Sequence, residues 1–322
     1  MTTRPRLGDI VPRQGQEAGV IVGVDFGASR WVREQRRKIV ALAAHRTSER
    51  SYRIDGTGLN ARLLGDGAPG YGAAELADRL LAQPARVVGC DFPFGIPEAL
   101  LVDEHFAASA GYRDGAFGQW RSFHRFVATA LPLVDPLDFS PFSAWREPSR
   151  RDRLWARRVT DVVAGAQPPL KDRFQATFQM TLLGNAVLAR LSASGRYRVS
   201  PFADDDAADA GAGELIEVYP GATLRRLGLA RYKDRPAEAL QRARNACAAA
   251  GIILDVDERI LAVCRTYDSG GAAPDHDAAD AFVALCTAIL YAHGACRPAL
   301  PASEEARAAR EGIIWLPAAA PR

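Results

Sequence analysis

Three short apolar runs, each carrying an acid, constrain the fold of this chain more than any other feature. "GVIVGVDFG" (19–27) ends on Asp25, "ARVVGCDFPFGIP" (85–97) reaches Asp91, and "ELIEVYPGATLRRLGL" (214–229) carries Glu217 before turning at Tyr219-Pro220-Gly221 into a short helix. Continuous apolar stretches of this length, bounded by Gly and Pro, read as buried strands. "KIVALAAHR" (38–46) and "SYRIDG" (51–56) follow as a second and third strand in a meander with the first, and "EGIIWLP" (311–317) offers a final strand. Helical spacing appears at 72–84, 236–251 and 255–264, and again in the run that opens "HDAADAFVAL" (276–285). Sheet-forming runs that alternate with helical ones predict an α/β architecture.

From about 98 to 213 the pattern becomes mixed helical, rich in aromatics and arginines, and reads as an insertion rather than an independent module. Residues 1–17 are polar, with Pro5 and Pro12, and read as a flexible tail ahead of one domain over 18–322. "DDDAADA" (204–210) echoes the 277–281 sequence but lies among Gly and polar residues, so it reads as loop.

The chain is long enough for a sizeable core: 322 residues, 48% hydrophobic and 25% charged. Its net charge of +3 gives no argument for nucleic acid by itself; such an argument depends on where the arginines lie. Five cysteines (Cys90, Cys247, Cys264, Cys286, Cys296) without a CxxC pair fit a reducing cytosol and offer neither a zinc site nor a disulfide framework. No apolar run has signal-peptide or membrane-spanning form, so a cytoplasmic location is expected. GxSxG and GxxxxGK[ST] are absent, which argues against a nucleophile-elbow hydrolase and a P-loop ATPase.

The acids suggest chemistry once they are taken together. Asp277 and Asp280 stand at i and i+3, on one face of a helix start. Alone they are ordinary first-turn acids, favoured by the helix dipole. Neighbouring strands would place Asp25 beside Asp91, and a helix packed across the sheet would add the last pair. Clustered carboxylates repel and resist desolvation, so they persist where a cation neutralises them. Oxygen donors of this kind suit Mg2+ or Mn2+, and two such ions about 4 Å apart support phosphodiester hydrolysis. Glu217 reads either as an outer ligand or as a brace for the Tyr219-Pro220 turn.

"GVDFGASR", "CDFPFGIP", "EVYPGATLRRLG", "DHDAADAFVALCTA" and "EGIIWLP", in that order, resemble the domain-of-unknown-function 429 family of predicted RNase H-fold nucleases. The similarity runs from about residue 19 to 317. "DAADA" at 277–281 separately resembles the last motif of RuvC-type Holliday-junction resolvases, in which both aspartates are ligands. The resemblance implies Asp25 as the first-strand ligand, Asp91 as the fourth-strand carboxylate and Asp277 or Asp280 as the helix ligand. RuvC-type enzymes usually carry glutamate at the fourth strand, where this chain has Asp91. The expected fold is an RNase H-like mixed five-stranded sheet flanked by helices, with the helical insertion after the fourth strand. The expected function is a two-metal nuclease acting on DNA or RNA.

Several basic residues are candidates for phosphate. Arg30 follows Asp25 closely. Lys171 and Gln175 lie where the insertion can fold over the site. Arg225, Arg226 and Lys233 follow the Glu217 strand, and His276 precedes the acidic helix as a proton shuttle or a helix-start hydrogen-bonding group. The run Arg146, Arg150, Arg151, Arg153, Arg157 and Arg158, with Trp145 and Trp155 interleaved, is either a phosphate grip with stacking surfaces or a solvated face paired to Glu147 and Asp152. Arg33, Arg36, Arg37 and Lys38 read as a polar hairpin turn. Two other functions compete with the nuclease. A non-catalytic nucleic-acid or protein binding module can keep every acid for structural reasons. An actin/sugar-kinase-type phosphotransferase would use "GVDFGASR" as its first phosphate loop, but Pro93 removes a backbone donor where its second loop would cradle phosphate.

Overall fold

The computed structural model describes residues 19–56, 71–147, 152, 155–173, 176–202, 211–266 and 276–318. The tail at 1–17, the 204–210 loop, and Arg150, Arg151, Arg153 and Gln175 lie outside them. Among the described residues nine strands form one mixed sheet: β1 (Val20–Phe26), β2 (Ile39–Ser48), β3 (Ser51–Ile54), β4 (Val87–Asp91), β5 (Tyr197–Val199), β6 (Gly213–Val218), β7 (Ile253–Val256), β8 (Cys296–Pro298) and β9 (Ile314–Pro317). Their order is β7-β3-β2-β1-β4-β6-β9-β8. β5 and β9 share the free edge of β6, β5 along its first half and β9 along its second. The sheet is therefore larger than the five strands expected. The additions include β5, β7 and β8, which run for only three or four residues each.

Strict alternation sorts the side chains of the central strands. Val22, Val24, Phe26, Ala41, Ala43, Val88 and Cys90 join a core on one face. Ile21, Val40, Leu42, Ala44 and Val87 join another on the opposite face, as a period of two requires. The first face packs under the helices Ala73–Ala82 and Phe178–Ala193 and under an aromatic cluster from the region between β4 and β5. In that cluster Trp145 is buried and stacks on Phe106 at 4.2 Å, so it is core and no surface for a base. The second face packs under the Asp277–Ala292 helix, which is buried from Ala278 to Ala292. None of the helices among the described residues is long and apolar enough to cross a membrane.

Two glycines set how closely that helix lies. Gly23 and Gly89 are paired across β1 and β4. A Cβ on Gly23 would meet the Leu285 backbone nitrogen at 2.1 Å and the Ala281 carbonyl at 2.5 Å; one on Gly89 would meet the Ala284 carbonyl at 2.9 Å. Backbone on backbone leaves no side chain to move aside. Gly23→Ala is thus expected to destabilise by the upper end of the 1–3 kcal/mol, about 3 kcal/mol, that overpacking costs. Urea denaturation measures it, and a loss below about 0.5 kcal/mol would mean the helix stands off the sheet.

His124 gives a pH-dependent test of the aromatic cluster. Its ring lies 3.9 Å from Trp120 in a stacked arrangement, and its Nδ1 lies 3.3 Å from the Trp120 carbonyl oxygen. Burial lowers its pKa to about 4, and the charges of Arg125 and Arg121 act the same way. The unfolded chain takes the proton near about 6.5. Between these values the unfolded state binds more protons, so stability falls as the pH drops, by about 2 kcal/mol at pH 5. His124→Phe is expected to flatten that part of the stability profile; an unchanged slope would refute the assignment.

Elsewhere the chain departs from its expected elements. Val32–Lys38 is a helix rather than a hairpin turn: its first turn holds Glu34, its last turn Arg36, Arg37 and Lys38, each sign at the helix end that favours it. Arg36 pairs with Glu75. The 255–264 stretch begins as β7, parallel to β3, and becomes helix only at Glu258.

Candidate metal centre

Asp91 closes β4, and Asp25, one residue from the end of β1, stands in register with it. Both point to the face carrying Gly23 and Gly89, because each lies two residues further along. The close seat of the Asp277–Ala292 helix on those glycines carries its first turn over the two strand ends. Carboxylate oxygens of Asp25, Asp91 and Asp280 then lie within 4.8 Å of one another. Asp25 and Asp280 are each only 8% exposed.

Such a cluster holds its protons tightly. Burial pushes the Asp91 carboxyl well above the ordinary carboxylate range, and Asp280 and Glu217 add to the shift; a hydrogen bond with Asp25 and the charge of Lys233 oppose it. Tyr232 donates its hydroxyl to Asp280 Oδ2 at 3.1 Å, and its own pKa is pushed up by burial and then by Asp280 and Asp91. Three hard oxygen donors at this spacing fit a divalent cation of the Mg2+ or Mn2+ kind, whose charge would remove the repulsion.

The triad lies in a pocket of about 690 Å3. The ends of β1, β4 and β6 contribute to it, as do Gly165–Gln167, Thr177 and Met180 from the helical region, the loop Ala230–Asp234, and Asp277. Arg225, Arg231 and Lys233 supply positive charge to its lining. Arg225 is anchored: it donates to the Ala164 carbonyl at 2.6 Å and lies over the Tyr219 ring.

The other candidates fall elsewhere. Asp277 lines the pocket but is outside the triad. Arg30, Lys171 and His276 are not among the lining residues. Arg30 is exposed and lies over Trp31. Lys171 reaches Gln167 at 2.7 Å, just behind the pocket wall. His276 occupies the N-cap position of its helix without a capping side-chain bond, and its carbonyl accepts from Asp280.

Glu217 serves neither of its expected roles. Its Oε1 accepts from Arg158 Nη2 at 2.5 Å, and its Oε2 accepts from Arg158 Nη1 at 2.7 Å and from the Phe94 amide at 2.9 Å. Glu217 lines the pocket, but both its oxygens are engaged by Arg158 and it stands outside the triad, so it is corrected from metal ligand to anchor. Burial raises its pKa, and Arg158 opposes this. Arg158 also grips Asp161 through Nε and Nη2, at 3.0 and 2.7 Å. Burial works against its charge, but Asp161 and Glu217 outweigh burial and raise its pKa. Arg158 is fully buried and therefore belongs to no solvated or phosphate-gripping face. Glu311 completes the assembly, accepting from the Val159 and Glu98 amides.

Sequence reasoning assigned no such role to Tyr232, Arg158, Asp161 or Glu311. Only Asp161 leaves a local signal: it sits three residues after Arg158 at a helix start and accepts from the Arg158 amide at 2.9 Å, the position at which a capping acid is expected.

No curated protein and no solved structure matches this chain. A family model described as a protein of unknown function, DUF429, matches residues 23–305, which takes in all three triad carboxylates and the Arg158 network as far as Asp161 and Glu217. With most of its length matched, the chain belongs to the DUF429 family.

Proposed function

We propose that the protein is a metal-dependent nuclease, hydrolysing phosphodiester bonds on an RNase H-like core. The convergence of Asp25, Asp91 and Asp280 at the floor of a pocket carries this reading. The antiparallel meander β1-β2-β3, continued on the other side of β1 by parallel β4 and β6, supports the core assignment. Five buried cysteines, all free, support a reducing, cytoplasmic setting.

Asp25, Asp91 and Asp280 would hold Mg2+ or Mn2+, with Asp277, which lines the same pocket one turn earlier, as the carboxylate for a second ion. When bound, such ions supply a lowered pKa for the attacking water and charge stabilisation at the scissile phosphate. The chain does the rest. Tyr232 holds Asp280 in one orientation by its hydrogen bond. Lys233 and Arg231 face the pocket, where they neutralise phosphate charge as it builds. The Arg158–Glu217 pair fixes the start of the 92–97 segment through the Phe94 amide, and so the end of β4. That amide is spent on Glu217, which argues against a second phosphate loop and hence against the kinase-type reading.

Cleavage of end-labelled DNA and RNA oligonucleotides in Mn2+ tests the proposal. Wild type is expected to cut, and Asp91→Asn to lose about 100-fold or more. Equal cutting by both proteins would expose a contaminant and sink the reading. Metal binding without cleavage of any substrate would favour the non-catalytic binding module.

A further inference from the structure

The shape of the pocket bears on what form of nucleic acid reaches the triad. A volume of about 690 Å3 belongs to the roughly 300–1,000 Å3 class of clefts that enclose small groups. Two of the three carboxylates that line it, Asp25 and Asp280, are nearly out of solvent, and Asp91 is half-buried. Gly165–Gln167, Thr177 and Met180 line it, as does the Ala230–Asp234 loop. A duplex is stiff and broad; its wide groove alone spans about 12 Å. Carboxylates so little exposed are reached more readily by a narrow strand than by a phosphate held on a broad duplex. A single strand is narrow and bends freely.

A second feature lies just behind the lining. Gln167, a lining residue, accepts from Lys171 Nζ at 2.7 Å. The same ammonium sits 5.8 Å from the centre of the Trp155 ring. The indole is half-buried and fixed by its Nε1, which donates to Asp172 at 3.2 Å. A lysine ammonium beside an anchored aromatic plane is the pairing that single-strand binders use, one for the phosphate and one for the base.

We propose that the pocket admits a single strand of nucleic acid and excludes duplex, with the nucleotide outside the pocket stacked on Trp155 and its phosphate on Lys171. The proposal rests on the nuclease reading of the triad, and it departs from a junction or duplex substrate.

Fluorescence anisotropy tests it, with Ca2+ present to support binding without turnover. The probes are labelled oligo-dT and oligo-rU strands about ten nucleotides long, within the site sizes of single-strand binders, and the oligo-dT·oligo-dA duplex. At least one single strand is expected to bind about ten-fold or more tightly than the duplex, and the dT and rU arms separate DNA from RNA. Trp155→Leu is expected to weaken the preferred strand by about ten-fold, and Lys171→Gln to weaken it in the same direction. Mn2+ calorimetry should be unchanged in both variants. Duplex binding as tight as single-strand binding, indifference to both substitutions, or equal competition by dTMP would overturn the proposal. Absence of Mn2+ binding in wild type would instead overturn the metal reading, so the two failures are distinguishable.

Discussion

Asp91→Asn is expected to lose manganese binding while making the metal-free protein more stable, and the opposite signs are the diagnostic. Asp91 supplies one of three converging carboxylates, so its loss should weaken Mn2+ by more than about 100-fold, beyond the 10–100-fold typical of groups that only support a ligand. Stability moves the other way. Burial and the neighbouring acids raise the Asp91 pKa above its unfolded value. The folded state then binds the proton more tightly than the unfolded state, and ionising Asp91 as the pH rises to neutrality costs stability. Asparagine has no charge to bury. Asp25→Asn and Asp280→Asn should also lose the metal, since the site is shared. Calorimetry with Mn2+ and thermal unfolding in EDTA measure the two quantities. If Asp91→Asn lowers metal-free stability and leaves Mn2+ binding intact, the triad is a structural hydrogen-bonding cluster.

This trade-off explains why the site was partly legible in the sequence. An acid is costly at the end of a buried strand, so Asp25 and Asp91 stand out against "VIVGV" and "RVVGC". Asp280 stands out in the same way, ahead of the apolar run that follows it in the helix. The central strands were legible because they are buried on both faces and read as continuous apolar runs. The strands that were missed lack that signal. β7 alternates exposed and half-buried residues, starting with Ile253 at 66% exposure, and its parallel pairing to β3 is a contact between distant parts of the chain. β5 and β8 are too short to show any period.

The partners of the site were illegible for a related reason. Tyr232 and Asp280 are far apart in sequence, as are Arg158 and Glu217, and no local pattern encodes a hydrogen bond between separate segments. Arg158 is the sharpest case. Within "RRDRLWARR" it resembles its neighbours, yet Arg157 is exposed and Arg158 is completely buried. Composition gives the number of cations, but only the fold decides which of them meets buried acids.

Arg158→Leu should therefore have the largest effect on stability of any arginine substitution among the described residues. The leucine leaves Asp161 and Glu217 buried without their cation, and removing one member of such a pair costs about 3–5 kcal/mol. Glu217→Gln is the informative companion. It keeps an acceptor for the Phe94 amide and for one Arg158 nitrogen, so it should destabilise by less than Arg158→Leu. It also separates anchor from ligand. With both Glu217 oxygens turned to Arg158, Mn2+ affinity should stay within about three-fold of wild type, a difference under about 1 kcal/mol, while urea denaturation registers the lost ion pair. A Glu217→Gln variant of unchanged stability that binds Mn2+ 100-fold more weakly, a loss of about 2.7 kcal/mol, would return Glu217 to the metal. Only a rearrangement that released it from Arg158 could then account for its role.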